Sequence, residues 1–167
     1  IHEKMAHLKE KCPHPATFCH DEDSLFSNGE AHPPVLSYAH GIAGAAIAFS
    51  RYAKHFNDDF SKQWFMQTAD LLDSYFDEQQ GFWPDMRMAS DVESLDALSA
   101  QPPAWCGGHI GIGLFYIECY EQWPELKERA LERLNNCINV SANIANKKSL
   151  LPNLCCGFYG DLDFLHE

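Results

Sequence analysis

Apolar side chains recur along most of this chain at the three- and four-residue spacing of an α-helix. The clearest run extends from Asp59 to Gln79 and predicts an amphipathic helix. Its apolar face carries Phe65, Ala69, Leu72 and Phe76. Another helix is predicted from Pro124 to about Ala145, because proline is favoured in a first helical turn. Its apolar face carries Leu126, Ala130, Leu134, Cys137 and Ile138, with Arg129 and Arg133 among its solvated charges.

Two further helices are predicted, from Ala43 to Phe56 and from Ile110 to Trp123. Cys119 lies well inside the second of them and is predicted to be a small buried thiol. No segment of the chain alternates apolar and polar residues as a half-buried strand does. The sequence therefore predicts an all-α fold built from paired antiparallel helices.

Three turns share the form Gly-x-x-Gly, at Gly41–Gly44, Gly108–Gly111 and Gly157–Gly160, and each is followed by a helix-compatible run. The chain therefore repeats one unit in which a turn leads into a helix. When the units are aligned, the two residues before each first glycine are Ala39-His40, Cys106-Gly107 and Cys155-Cys156. Side chains capable of metal binding or catalysis thus occupy equivalent positions, directly before the starts of neighbouring helices. We call this region the mouth.

The cysteines of these turns form a candidate metal site. Cys155 and Cys156 are adjacent and cannot easily form a disulfide with each other, whereas a metal ion can accept two thiolates from one turn and a third from a distant loop. Cys106, Cys155 and Cys156 are therefore candidate ligands of a zinc ion. Three protein ligands and an open fourth position are typical of catalytic zinc, since structural zinc usually has four.

Charge and cysteine content narrow the classes of function. The formal net charge of −12 argues against a nucleic-acid partner, which needs clustered lysine and arginine. There is no secretory signal and no apolar run long enough to span a bilayer, so no membrane partner is expected. The seven cysteines form an odd, scattered set without a compact disulfide framework, which favours a reducing compartment and a cytoplasmic location.

Three segments, taken in order, resemble the signature motifs of the lanthionine synthetase C-like (LanC-like) cyclases. They are Ser37-Tyr38-Ala39-His40-Gly41-Ile42-Ala43-Gly44, Trp105-Cys106-x-Gly108-x-x-Gly111-Ile112-Gly113 and Leu154-Cys155-Cys156-Gly157-x-x-Gly160. The resemblance extends from about Pro34 to the end of the chain. The usual third motif reads Cys-His-Gly, and the sequence Cys155-Cys156-Gly157 is similar to the three-cysteine variant of some class II lanthipeptide synthetases.

The resemblance implies a zinc-dependent peptide cyclase of lanthipeptide biosynthesis, with Cys106, Cys155 and Cys156 as the Zn²⁺ ligands. Its substrate would be a dehydrated precursor peptide, whose cysteine thiols add to dehydroalanine or dehydrobutyrine to form lanthionine or methyllanthionine thioether rings. The family fold is an α/α toroid of seven helical hairpins, which is longer than this chain. Residues 1–167 are thus expected to form one partial cyclase domain from the C-terminal part of the ring, without a second domain. A dehydratase domain is expected upstream in the full-length chain.

His40 matches the histidine of the first motif, which implies a catalytic acid or base. Thiol addition leaves a carbon that must be protonated, and histidine exchanges protons near neutral pH. The alternative is a histidine that only caps or hydrogen-bonds the Gly41 turn. Two positions depart from the family: Gly107 replaces a polar side chain that often follows the second-motif cysteine, and Pro102 replaces a basic residue of some members. His109 could supply the missing proton transfer or bind substrate, the alternative being an ordinary helix-start histidine.

Two other functions stay open. One is a LanC-like enzyme that adds glutathione to dehydrated residues, although such proteins usually keep Cys-His-Gly where this chain has Cys156. The other is a non-catalytic, zinc-stabilised helical module that binds peptides. It would need Cys106, Cys155 and Cys156 but would lose nothing when His40 is replaced.

Overall fold

The computed structural model describes residues 2–18, 34–86, 104–145, 154–155 and 158–166. Within these ranges the helices in chain order are α1 (His2–Lys11), α2 (Ile42–Phe56), α3 (Asp59–Ser74), α4 (His109–Gln122), α5 (Lys127–Ala145) and α6 (Phe158–His166). The described residues contain no β-strand, and Asp77 and Phe82 form an isolated bridge. The predicted all-α fold is therefore confirmed. None of the helices in these ranges combines the length and apolar character needed to cross a bilayer.

Helices α2 and α3 form the first hairpin, and two residues are enough to reverse the chain between them. Asn57 ends α2 in the left-handed conformation, with φ 54°. Asp58 then caps α3, because its carboxylate accepts a hydrogen bond from the Ser61 N–H at 2.8 Å. The short connection lets the buried ring of Trp64 stack on Phe49 of α2, with the ring centroids 4.4 Å apart.

Helix α3 ends at Ser74, so the predicted continuation to Gln79 is wrong. Asp77 gives the physical reason, since its carboxylate accepts hydrogen bonds from the N–H groups of Gln79 at 2.9 Å and Gln80 at 3.0 Å. An aspartate that binds the backbone just after itself favours a turn over a helix. Gly81, at φ 73°, is part of this reversal.

Helices α4 and α5 form the second hairpin. Trp123 and a 3₁₀ turn at Pro124–Leu126 connect them, so α5 begins at Lys127 rather than at Pro124. Ile138, predicted on the apolar face of this helix, is 42% exposed, and that assignment is wrong. The other predicted members of the face include Leu126, Ala130 and Cys137, which are all buried.

Arg133 was expected among the solvated charges of α5 but is buried. Its guanidinium carbon lies 4.1 Å from the ring centroid of Phe76. Its nitrogens donate hydrogen bonds to Asp73 at 3.0 Å and to Glu78 at 2.8 Å. A buried guanidinium needs such partners, because an unpaired charge in the interior is costly. These bonds tie α5 to α3 and to the turn that follows α3.

The first helices of successive hairpins pack side by side, α2 against α4 and α4 against α6. The contact between α4 and α6 is very close at Gly113, where an added Cβ would lie 2.6 Å from a ring carbon of Phe164. A glycine here makes room for the aromatic ring. This succession of hairpins, with α2, α4 and α6 on one side and α3 and α5 paired to them, is the arrangement expected for part of an α/α toroid.

Candidate functional site

The three glycine turns have the same local geometry where the structure describes them. Gly41 and Gly108 both precede their helices as extended residues with ψ −166°. The second glycine of each turn faces a backbone carbonyl oxygen so closely that a Cβ would overlap it. The glycines are Gly44, Gly111 and Gly160, and the carbonyls belong to Tyr38, Trp105 and Leu154 respectively. The repeat found in the sequence is therefore also a repeat of structure.

Backbone hydrogen bonds join the three turns in series. The Ala39 N–H donates to the Cys106 carbonyl at 3.0 Å, and the Cys106 N–H donates to the Cys155 carbonyl at 3.3 Å. The side chains one position earlier follow the same order, with the rings of Tyr38 and Trp105 5.0 Å apart between centroids. Cys106 thus lies between the equivalent residues of the two neighbouring turns. We call Ala39, Cys106 and Cys155 the mouth row.

Two of the three predicted zinc ligands are brought together by this row. Cys106 is half-buried and Cys155 is exposed. Cys106 and Cys155 both supply sulfur, the type of donor that zinc prefers, so these residues fit the predicted metal. Cys156 lies outside the described residues, and those that are described include no group of three His, Cys, Asp or Glu placed to hold a metal ion. The complete three-cysteine centre stays a prediction.

His40 lies exposed at the same mouth, directly after Ala39 and before Gly41. The hydrogen bond from Ala39 to Cys106 fixes the backbone beside it. The first and second motifs are therefore neighbours in space, as the repeat predicted. The catalytic role of His40 stays a prediction.

Of the two positions that depart from the family pattern, the structure describes one. Pro102 lies outside the described residues. Gly107 is half-buried, and a Cβ added there would meet no atom within 4 Å. The turn therefore has room for a side chain at position 107, although this chain carries none.

His109 is buried, with 4% of its surface exposed. Its Nε2 lies 3.5 Å from the Ser141 Oγ of α5, and its carbonyl accepts a hydrogen bond from the Cys137 thiol at 3.3 Å. Burial lowers the pKa of its imidazole from 6.5 to about 4. The ring thus packs within the α4–α5 hairpin, and its predicted role toward substrate stays a prediction.

We expect His109 to make the stability of the metal-free protein depend on pH. Because its folded pKa is about 4, the unfolded chain binds a proton at this imidazole between about pH 6.5 and 4 while the folded chain does not. The free energy of unfolding should therefore fall by about 2 kcal/mol between pH 7 and pH 5 through this group. Urea denaturation of wild type and His109→Gln at both pH values measures it. An equal loss in both proteins would show that His109 is not the cause.

Two cysteines of α4 and α5 are buried and unreactive at neutral pH. Cys119 and Cys137 are almost completely buried. Burial raises the pKa of the Cys137 thiol to about 12 and that of Cys119 further still. Neither can supply a thiolate near neutral pH, and the prediction that Cys119 is a buried core thiol is confirmed.

The glycines that face carbonyls are expected to be essential for the stability of the mouth. In Gly111→Ala the new methyl would overlap the Trp105 carbonyl oxygen and lie 2.7 Å from the Tyr38 Cβ. We expect the free energy of unfolding to fall by about 3 kcal/mol, because a backbone carbonyl cannot move aside as a flexible side chain can. Chemical denaturation measures the change.

Gly107→Ala is the matched control for Gly111→Ala, since it adds the same methyl group to the same turn where no atom lies within 4 Å. Its effect should stay within about 0.5 kcal/mol. Similar losses in the two variants would contradict the argument from overlap and would point instead to a general need for glycine in this turn.

Sequence reasoning missed part of the site. Tyr38 and Trp105 enter the sequence prediction only as members of motifs, and the contact between their rings is not predicted. The signal was available in the repeat, because Tyr38 and Trp105 occupy aligned positions in their turns. Aligned positions of neighbouring repeats come together when the repeats pack side by side.

Comparison with known proteins identifies a family. The sequence model of the family described as "Lanthionine synthetase C-like protein" matches residues 22–167. No curated protein matches the chain, and no solved structure does.

Proposed function

Because this chain belongs to the lanthionine synthetase C-like family, we propose that it closes thioether rings in a dehydrated precursor peptide, with zinc as cofactor. Cysteine thiols of the peptide add to dehydroalanine or dehydrobutyrine, giving lanthionine or methyllanthionine. The observation that carries the proposal is the hydrogen bond from Cys106 to Cys155. It brings the backbones of two cysteines from distant motifs together at the mouth where His40 also lies, which supports a shared site.

Cys106, Cys155 and Cys156 are the residues that hold the metal in this proposal. When bound there, zinc supplies one kind of chemistry: it lowers the pKa of a coordinated thiol so that the thiolate, which is the nucleophile, is present at neutral pH. The chain's own contribution is to hold the ligands at fixed separation. The serial hydrogen bonds of the mouth row support this by holding the backbone of Cys106 beside that of Cys155.

His40 is the general acid of the addition in this proposal. The peptide sulfur forms a bond to the β-carbon of the dehydrated residue, and the electrons of the carbon–carbon double bond pass to the adjacent carbonyl as an enolate. His40 then donates a proton to the α-carbon, and the proton lost by the thiol restores the imidazolium. The reaction is a net addition that needs no oxidant or reductant. A positioned acid of this kind contributes about 10²- to 10⁴-fold to the rate.

The substrate must already contain dehydrated serine or threonine. We assign that earlier step to a dehydratase domain upstream in the full-length protein. Thiols and thiolates of this kind persist in a reducing compartment, which fits a cytoplasmic site of action. The acidic balance of the chain, with a net charge of −12, does not favour nucleic acid as a partner.

The test is incubation of the intact protein with a dehydrated, cysteine-containing peptide, followed by counting of the peptide's remaining thiols. We expect thiols to disappear without a change in the peptide's mass, because an intramolecular addition conserves atoms. A chelator should stop the loss, and added Zn²⁺ should restore it.

Two further arms separate the alternatives. Glutathione offered beside the peptide should not become attached; a gain of its mass would identify a glutathione-adding enzyme instead. Peptide that binds with no loss of thiols at any zinc concentration would identify a non-catalytic binding module and contradict the proposal.

A further inference from the structure

The side chain of Trp105, in the second glycine turn, contacts both neighbouring turns. On one side its ring packs against the ring of Tyr38 in the first turn, with the centroids 5.0 Å apart. On the other side a Cβ added at Gly160 would lie 3.2 Å from the Trp105 Cβ, so Trp105 lies against the start of α6. Trp105 is half-buried and packs against the hydrophobic core. It therefore bridges the first and third turns from its place in the second.

Tyr38 makes the same contact one repeat earlier. A Cβ added at Gly111 would lie 2.7 Å from the Tyr38 Cβ, so Tyr38 lies against the start of α4 as Trp105 lies against the start of α6. Each aromatic residue thus packs on the second glycine of the next turn, where the absence of a side chain leaves room for it. A contact that recurs at equivalent positions belongs to the way in which successive repeats stack.

The hydrogen bonds of the mouth row need support from such packing. The bonds from Ala39 to Cys106 and from Cys106 to Cys155 lie at a surface where Ala39 and Cys155 are exposed. Water competes for backbone groups at such a surface, so each bond contributes little net stability. Packing of a tryptophan side chain removes a large apolar area from water and contributes more. The contacts of Trp105 are therefore the stronger link between the turns.

We infer that Trp105 is a positioning residue, which holds the turn of Cys106 between the turns of Ala39 and Cys155. It acts through the backbone that carries the two cysteines, and no contact with a sulfur is required. One consequence rests on the proposed function: the same packing keeps Cys106 and Cys155 close enough to share a zinc ion. Residues that orient metal ligands in this way contribute to metal affinity without binding the metal.

Alkylation of cysteines tests the positioning without metal or substrate. Intact wild type and Trp105→Ala are treated with iodoacetamide in the presence of a chelator, and peptide mapping gives the rate at each cysteine. We expect Cys106, which is half-buried in the wild type, to react about tenfold faster in the variant, because local opening exposes its turn. Cys137 is almost fully buried in α5 and should stay unreactive, so it reports on unfolding of the whole hairpin.

Two further variants make the test specific. Trp105→Phe is the matched control, because phenylalanine keeps an aromatic ring, and its Cys106 should react within about threefold of the wild-type rate. Tyr38→Leu removes the same ring contact from the other side while keeping apolar bulk, so it tests the inference even if Trp105→Ala does not fold. It should also make Cys106 react faster. The double variant should react no faster than Trp105→Ala, because effects that pass through one contact do not add.

Zinc affinity then connects the positioning to the proposed function. In competition with a chromophoric chelator, Trp105→Ala should hold Zn²⁺ about 10- to 100-fold more weakly than wild type. Trp105→Phe should hold it about as tightly as wild type does.

The outcomes separate this inference from the proposed function. If Cys106 reacts at the wild-type rate in Trp105→Ala or Tyr38→Leu, or if Cys137 becomes reactive to the same degree, Trp105 does not position the mouth and the inference is wrong. If Cys106 reacts faster but Zn²⁺ affinity is unchanged, the consequence for the metal is wrong. If Cys106 reacts faster as expected but the wild type binds no zinc, the inference about the turns stands and the proposed function fails.

Discussion

Replacing Cys106 by serine is expected to remove the metal and to reduce thiol addition to the rate of the peptide alone. Cys106 is the central member of the mouth row, with backbone bonds to both neighbours, so no other cysteine can take its place without rearranging the turns. Serine keeps the size of the side chain but not its affinity for zinc. The loss in rate should be at least about 1,000-fold, since enzymes typically accelerate reactions a million-fold or more.

The measurements are zinc content by elemental analysis and loss of peptide thiols over time. Cys12→Ser is the matched control, because it removes one thiol from a half-buried position after α1 without touching the mouth row. It should keep the wild-type zinc content and rate. Full activity in Cys106→Ser, or equal losses in the two variants, would rule out the assigned ligand.

Replacing His40 by asparagine is expected to lower the rate of ring closure by about 10²- to 10⁴-fold while leaving the zinc content unchanged. Asparagine can still form hydrogen bonds but cannot donate a proton as an imidazolium does. The combination of retained metal and lost rate distinguishes a proton donor from a residue that merely shapes the turn, whose loss would also weaken the metal site. Single-turnover thiol loss and elemental analysis measure the two quantities.

His55→Asn is the control for this variant. His55 is exposed in the last turn of α2, at the opposite end of the same helix, and its ring contacts only Phe56 among the described aromatic rings. The same chemical change there should leave the rate as it is. A His40→Asn protein within threefold of wild type would contradict the catalytic assignment and favour the reading in which His40 only caps its turn.

Two different features of the sequence predicted the helices and the proximity of the motifs. Helical spacing of apolar residues located α2, α4 and most of α5, because it reflects which side of a helix is buried. The approach of Cys106 to Cys155 followed from the glycine repeat, since equivalent turns of packed repeats become neighbours. The all-α fold came from the same two signals together with the absence of alternating segments.

The failures have two physical origins, a local turn that competes with the helix and contacts between segments distant in sequence. The end of α3 was misplaced because the Asp77 carboxylate binds the backbone beyond it in preference to a further helical turn. Arg133 was assigned to the solvent by its charge, yet Asp73, Glu78 and the Phe76 ring from distant segments make its burial favourable. Partners supplied by another helix cannot be read from the spacing along one helix.

The hydrogen bond between Cys106 and Cys155 crosses from the turn before α4 to the turn before α6, and the Phe164 ring over Gly113 joins the same two helices. The separation of the Cys106 and Cys155 backbones therefore depends on how α6 docks on α4. On the proposed function, affinity for the ion includes the free energy of that docking, and the ion in turn stabilises the docked helix by mass action. A substitution at Phe164, which is not a ligand, would then lower the affinity of the protein for zinc.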